Sequence, residues 1–379
     1  MKRRNVFIGA GFIALLAALG VSQSVLERKA LAQSGSGISA PRFEVDPMWP
    51  KPLPNGWYIG QTIGVWADNQ DHIWIIHRND SLDPVEAAAD QTPPTGECCK
   101  KAPPIIEFDQ AGNVVHAWGG PGQGFDWPDS NHGIFADTEG FVWIGGNGGT
   151  DGLVLKFTRD GKFVLQIGKQ GDQTNSNDVT RLGKPADAEV DPETNEVYIA
   201  DGYFNHRVIV FDADSGAYKR HWGAYGKKPT DEKLEPYNST SSQFGNTVHC
   251  VKIAKDGLVY VCDRANNRIQ VFRKDGSFVK EFAYEKNTRA SGSVWDLDFW
   301  IDGKQTFLFN ADGTNNEVRT LVRESGEVVG AFGRNGRNAG EFHWVHNLAI
   351  DSKGNLYTTE VDTGKRAQKF RYTGPAVAK

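Results

Sequence analysis

The stretch HCVKIAKDGLVYVCDRANNRIQVFRKDGSFVKEF, His249 to Phe282, decides the fold. It holds four short runs rich in Val, Ile, Tyr and Phe, the residues that suit a pleated, half-buried surface. Between them stand Lys255-Asp256-Gly257, the segment Arg264 to Asn267, and Lys274-Asp275-Gly276. Turns ending in Asp-Gly supply the positive dihedrals that tight hairpins require. One small antiparallel sheet of four strands is the expected product.

The same unit recurs along the chain. IGVWADNQDHIWIIHR, from Ile63, resumes as IIEFDQAGNVVHAWG; HGIFADTEGFVWIGG, from His132, is followed by LVLKFTRDGKFVLQIG. ADAEVDPETNEVYIADG leads to RVIVFDADSGAYKRHWG, and WDLDFWIDGKQTFLFNADG to EVRTLVRESGEVVGAFG. The last copy, HNLAIDSKGNLYTTE with AQKFRY, is one strand short, and RFEVDPMWPKP near the start is the natural segment to complete it. Six such units predict an all-β fold, a six-bladed β-propeller, because radial repetition buries each sheet against its neighbours. The expected organisation is residues 1–32 as an export signal, 33–59 as the segment closing the ring, and 60–379 as one propeller domain.

The export reading rests on a basic start, an apolar run from Val6 to Val21 and a small-x-small site at Ala30-Leu31-Ala32. It predicts a periplasmic or secreted protein with no stable membrane insertion after cleavage; an uncleaved anchor is the alternative. A net charge of −5 with no long basic run argues against nucleic-acid partners. Four cysteines, Cys98, Cys99, Cys250 and Cys262, fit no zinc spacing, and their pairing stays open.

Aligning the units on their first strands puts Ile63, His132, Ala186, His249, Trp295 and His346 in one column. The chain has only 9 histidines, and every second blade carries one there. Because the first strand of each blade is innermost, the three imidazoles should converge on the central axis, as in an open zinc-type site. The antiparallel second strands return to the same face, where Arg78, Arg264 and Tyr203 stand. Arginine is suited to clamp a carboxylate, and tyrosine can serve as a general base. Arg207 and Arg268, on the next strand, are expected to meet local backbone groups instead.

DRANNRIQVF and GEFHWVHNLAIDSKGNLY resemble NHL repeats. The ordered set GVWADNQDHIWIIHR, NHGIFAD, ADGYFNHRVIVF, HCVKIAKDGLVYVCDRANNRIQVF and VHNLAID resembles the peptidyl-α-hydroxyglycine α-amidating lyase family. That resemblance implies a six-bladed propeller with a zinc ion on His132, His249 and His346. It implies Tyr203 as the base that takes a proton from the substrate hydroxyl, Arg264 beside it, and Arg78 binding the carboxylate of a small-molecule or peptide substrate. The reaction implied is cleavage of a carbon–nitrogen bond at a hydroxylated carbon, giving an amide and glyoxylate. It also implies a structural calcium held by the backbone carbonyls of Val65 and Ile134 and by the side chain at Asn347, although an asparagine stands there where the family has an aspartate. Trp344 replaces a methionine near the metal, and residues 81–104 form an insertion beside Arg78. Two other functions compete: a non-catalytic propeller binding a ligand or protein, and a propeller lactonase or other hydrolase. A monomer is expected.

Overall fold

A computed structural model describes residues 39–375 apart from 234 and 236; the expected export signal lies outside the described residues. Six four-stranded antiparallel sheets follow one another along the chain. The first is built from Gln61–Ala67, Ile73–Arg78, Ile105–Phe108 and Val114–Trp118, and the second from Asn131–Ala136, Phe141–Gly146, Leu153–Thr158 and Phe163–Gly168. The third uses Pro185–Asp191, Glu196–Asp201, Arg207–Asp212 and Tyr218–Trp222. The fourth uses Val248–Ile253, Val259–Asp263, Arg268–Phe272 and Phe278–Ala283. The fifth comprises Asp296–Phe299, Phe307–Asp312, Glu317–Val322 and Val328–Phe332. The sixth takes Val345–Ile350, Leu356–Glu360 and Arg366–Pro375 from the end of the chain and its outer strand, Pro41–Asp46, from the beginning. That outer strand runs from Pro41 opposite Pro375 to Asp46 opposite Lys369, so the two ends share one sheet. The first strands of successive blades touch in order, and the sixth touches the first. This is a closed six-bladed β-propeller.

The aspartate that ends the first strand of several units has a structural job. Asp137 accepts the backbone N–H groups of Glu139 and Phe141 at 3.0 and 2.9 Å, and its second oxygen takes the indole N–H of Trp143 at 2.9 Å. Asp68 does the same for Gln70, His72 and Trp74, and Asp351 for Lys353, Asn355 and the Tyr357 hydroxyl. One carboxylate thus closes the hairpin and ties down the aromatic residue of the second strand, which explains why the motif repeats.

A second repeated device was not foreseen. Arg207 and Arg268 meet more than backbone: each pairs with a fully buried carboxylate, Asp201 at 2.8 Å and Asp263 at 2.7 Å. Arg207 also donates to the carbonyls of Ser176 and Arg181, and Arg268 to that of Gln243. Asp201 and Asp263 in turn accept the N–H of Gly183 and Gly245. Each pair straps the segment entering its blade to the end of the second strand, where Tyr203 and Arg264 follow. All four cysteines are bridged, Cys98 to Cys99 and Cys250 to Cys262.

Candidate metal centre

The strand pairing slips along the predicted column. Between first and second strands the register shifts between Thr62 and Gly64, His132 and Ile134, Pro185 and Asp187, Val248 and Val251, and Val345 and Asn347. A bulge leaves one residue unpaired and re-aims its neighbours. Repeated at one level of five blades, it turns the side chains of this column toward the axis. Two glycines let the blades close up there. Gly133 has φ +71°, and a Cβ on it would lie 2.6 Å from the Ala186 carbonyl oxygen. A Cβ on Gly202 would lie 2.3 Å from the backbone N and O of Val248, so only glycine lets Tyr203 follow at that point.

His132, His249 and His346 are all buried, and their ligand atoms lie within 4.8 Å of one another. His132 Nδ1 is 2.7 Å from the Ala186 carbonyl oxygen and His249 Nδ1 is 2.5 Å from that of Trp295. A carbonyl can only accept, so each Nδ1 carries the proton and each Nε2 presents a lone pair. His346 Nδ1 faces Asn347 Oδ1; because the Asn347 amide nitrogen donates to Asp296 Oδ2 at 3.0 Å, the oxygen is the end turned to the histidine. Outer partners of this kind orient metal-binding histidines and fix their tautomer. Burial, joined by the neighbouring imidazoles and arginines, lowers the pKa of His132 and His249 well below the usual histidine value. Burial likewise lowers His346 to about 3. Three neutral imidazoles therefore converge at neutral pH.

Tyr203 caps this ring. Its hydroxyl lies 3.0 Å from His132 Nε2 and 3.1 Å from His249 Nε2, and it accepts from Arg264 Nη1 at 3.1 Å. A phenol has one proton to give, so one of its two contacts with an imidazole sets lone pair against lone pair. A cation among the three nitrogens removes that conflict, and the donor set of neutral imidazoles suits a divalent transition metal. The three histidines can hold a metal ion.

Both predicted arginines reach the same place without a carboxylate partner among the described residues. Arg78 donates to the Asn131 carbonyl and to the side-chain oxygens of Gln61 and Asn147, at 3.2, 2.9 and 2.9 Å. Burial lowers its pKa from the usual arginine value, and an anion beside it would offset that penalty. Arg264 donates to Tyr203 and Thr247, lies over the Tyr203 and Trp295 rings, and leaves its buried Nε without an acceptor. Two guanidiniums among neutral acceptors make the mouth receptive to an acid. Trp295 also packs on His249 and His346, and Trp344 on Trp295, so an aromatic wall flanks the ring. Trp295 stood in the histidine column, but Gln61, Asn147 and Thr247 had no motif of their own; only the folded ring shows what they hold. The insertion is pinned to the sixth blade, where Lys365 donates to the Ser81 carbonyl at 3.0 Å and pairs with Glu86 at 2.5 Å.

The expected calcium set fares differently. Val65 and Ile134 are buried on adjacent first strands, but Asn347 is committed at both ends, its oxygen to His346 and its nitrogen to Asp296. The Lys252 ammonium stands 3.6 Å from the other Asp296 oxygen and 3.3 Å from Asp187. These residues do not fit a calcium ion.

Residues 246–272 match the NHL repeat. The chain is 27% identical over 347 residues to NHL repeat-containing protein 3 of Homo sapiens, covering 86% of this chain and 84% of that protein. It is 22% identical over 315 residues to a probable peptidyl-alpha-hydroxyglycine alpha-amidating lyase, pgal-1, of Caenorhabditis elegans, covering 81% of each. Against peptidylglycine alpha-amidating monooxygenase of Rattus norvegicus it is 25% identical over 244 residues, 61% of this chain but only 22% of that protein, so the match spans about a fifth of that enzyme. A solved streptogramin B lyase superimposes with a TM-score of 0.52 at 11% identity, covering 87% of this chain and 98% of that one, a likeness of fold alone. The chain is a six-bladed propeller in which residues 246–272 match the NHL repeat, and it is distantly similar to an NHL repeat-containing protein and to amidating enzymes.

Proposed function

We propose that this propeller is an exported, monomeric, zinc-dependent lyase that cleaves a carbon–nitrogen bond at a hydroxylated carbon. The observation that carries the reading is the three-histidine ring with Nε2 lone pairs turned inward and the Tyr203 hydroxyl and Arg264 set upon it. A bound zinc ion would supply Lewis acidity toward an oxygen of the substrate. Arg78 and Arg264 would hold the acid end of the substrate at the mouth. Tyr203, as the phenolate, would accept the proton of the hydroxyl as its carbon–oxygen bond becomes a carbonyl, and would return that proton to the nitrogen, on which the electron pair of the carbon–nitrogen bond leaves. With an α-hydroxyglycine substrate the products are an amide and glyoxylate. The Arg264 N–H is aimed at the phenol oxygen, where it would stabilise the phenolate that must form before Tyr203 can accept the proton.

The test is metal content of the purified mature protein beside His249→Ala, followed by glyoxylate release from α-hydroxyhippurate. About one equivalent of zinc lost in the mutant supports the reading. Tyr203→Phe should keep the metal and lose about 10²-fold or more in turnover. Full activity in Tyr203→Phe would remove the proposed base. A second reading, a non-catalytic NHL propeller that binds a ligand or protein, draws on the long match to NHL repeat-containing protein 3; it predicts no turnover with or without metal. A hydrolase using channel carboxylates is disfavoured, because Asp187 and Asp296 are engaged by Lys252.

A further inference from the structure

One residue beyond the histidine column, the first strands of the third, fifth and sixth blades carry Asp187, Asp296 and Asn347. Lys252 reaches into this level from the fourth blade. Its ammonium lies 3.3 Å from Asp187 Oδ2 and 3.6 Å from Asp296 Oδ1, against the Trp66 ring, and all three charged side chains are buried. The other Asp296 oxygen accepts the Asn347 amide at 3.0 Å and the Leu348 N–H at 3.0 Å. Asn347 then presents its carbonyl oxygen to His346 Nδ1.

We infer that Lys252, Asp296 and Asn347 form a relay that takes the place of a structural calcium and positions His346 for the metal. The chemistry of the asparagine is what permits it. An aspartate at this position would set a second carboxylate against Asp296, a repulsion that a bound divalent cation would have to offset. An amide donates to Asp296 from one end and accepts from His346 at the other, so no ion is needed between them. The Asp296 carboxylate decides which end faces which partner. Turned by half a revolution, the amide would offer N–H to Nδ1, and the imidazole would move its proton to Nε2 and lose its inward lone pair. The positive charge that Asp296 needs comes from the protein itself. Burial opposes charge on Lys252, but Asp187, Asp296, Glu189 and Asp298 more than offset it and keep the ammonium charged. Asp296 and Asn347 are thus positioning residues that act through His346.

This inference rests on the metal-centre reading, and the experiment separates the two. Calcium content and thermal unfolding with and without a calcium-selective chelator are measured on the mature wild-type protein. Zinc affinity of the ring is measured by competition with a zinc chelator for wild type, Asn347→Ala, Asp296→Ala and the double variant. The expected result is no bound calcium and an unfolding temperature indifferent to the chelator. Each single variant should bind zinc about tenfold more weakly, and the double variant no more weakly than Asn347→Ala, because the two residues act in series. Stoichiometric calcium whose removal lowers the unfolding temperature overturns the inference, as does unchanged zinc affinity or full additivity in the variants. If Asp296→Ala does not fold, Asn347→Ala and the calcium measurement still decide. A wild-type ring that takes up no zinc sinks the lyase reading, while the calcium arm continues to judge the ion-free channel.

Discussion

Arg268→Met is the most direct probe of how the fold carries the site. Arg268 is fully buried, and its guanidinium donates to Asp263 at 2.7 Å, to the Tyr225 hydroxyl at 2.8 Å and to the Gln243 carbonyl at 2.8 Å. Methionine keeps much of the aliphatic stem but strips the charge. It leaves the Asp263 carboxylate, also fully buried, with only the Gly245 N–H at 2.8 Å and the Asn266 amide at 2.9 Å. Breaking a buried pair from one side costs about 3–5 kcal/mol. Asp263→Asn should cost a similar amount, and the double variant should fall short of the sum by about 2–3 kcal/mol, because both singles strand a partner. The pH dependence carries its own sign. Burial already raises the Asp263 pKa above 3.8, and loss of the arginine raises it further. The folded variant then binds a proton that the unfolded chain releases, so its deficit should shrink as the pH falls from about 7 toward about 5. Urea unfolding of the four proteins at two pH values measures all of this. A deficit under about 1 kcal/mol at neutral pH, strict additivity, or a deficit that ignores pH would refute the reasoning. Since Asp263 immediately precedes Arg264, the same variant should also loosen the clamp over Tyr203, read as a raised KM.

Other consequences follow from the same geometry. Gly133→Ala would force a Cβ to within 2.6 Å of the Ala186 oxygen that accepts from His132, at a φ of +71°; zinc affinity should fall about tenfold or more, as read by chelator competition. Arg78→Gln removes a guanidinium held only by neutral oxygens; it should raise KM for an acidic substrate about tenfold or more while leaving metal content unchanged, which steady-state kinetics and metal analysis check together. Burial, added to by neighbouring carboxylates, pushes Asp187 up to about 6, Glu189 up to about 8 and Asp298 up to about 7. Their contribution is complete below about pH 4 and lost as the pH rises through those values. In metal-free protein the lowered histidines act oppositely, losing stability as the pH falls below about 6.5. Between about pH 6.5 and 8 the raised pKa values of Glu189 and Asp298 make the unfolding temperature drop as the pH rises, and Asp298→Asn should flatten that slope; calorimetry across the range decides.

What was legible in the sequence was whatever repeats locally. Strand length, Asp-Gly turns and the aspartate that closes several of the first hairpins are encoded within about ten residues, and six copies force a ring. The histidine column was legible for the same reason, since His132, His249 and His346 stand at one fixed offset from the turn that follows each of them. Arg78, Arg264 and Tyr203 could be placed on their face because antiparallel strands return to where they began.

Only the closed ring decided the rest. The bulges that aim the column at the axis depend on neighbouring first strands crowding one another, as the contact of Gly133 with Ala186 shows. Arg207 and Arg268 pair with Asp201 and Asp263 inside their own hairpins, but the carbonyls of Ser176, Arg181 and Gln243 that complete their hydrogen bonds arrive only with the folded entering segments. Lys252 carries no motif, and only the meeting of the blades brings Asp187 and Asp296 around it; Asn347 read as a weakened calcium ligand until Asp296 and His346 took its two ends. Local periodicity is written in dihedral preference and hydrophobic alternation, which act between near neighbours. Partners for buried charges are chosen by which blades meet at the axis, and that exists only once the propeller has closed.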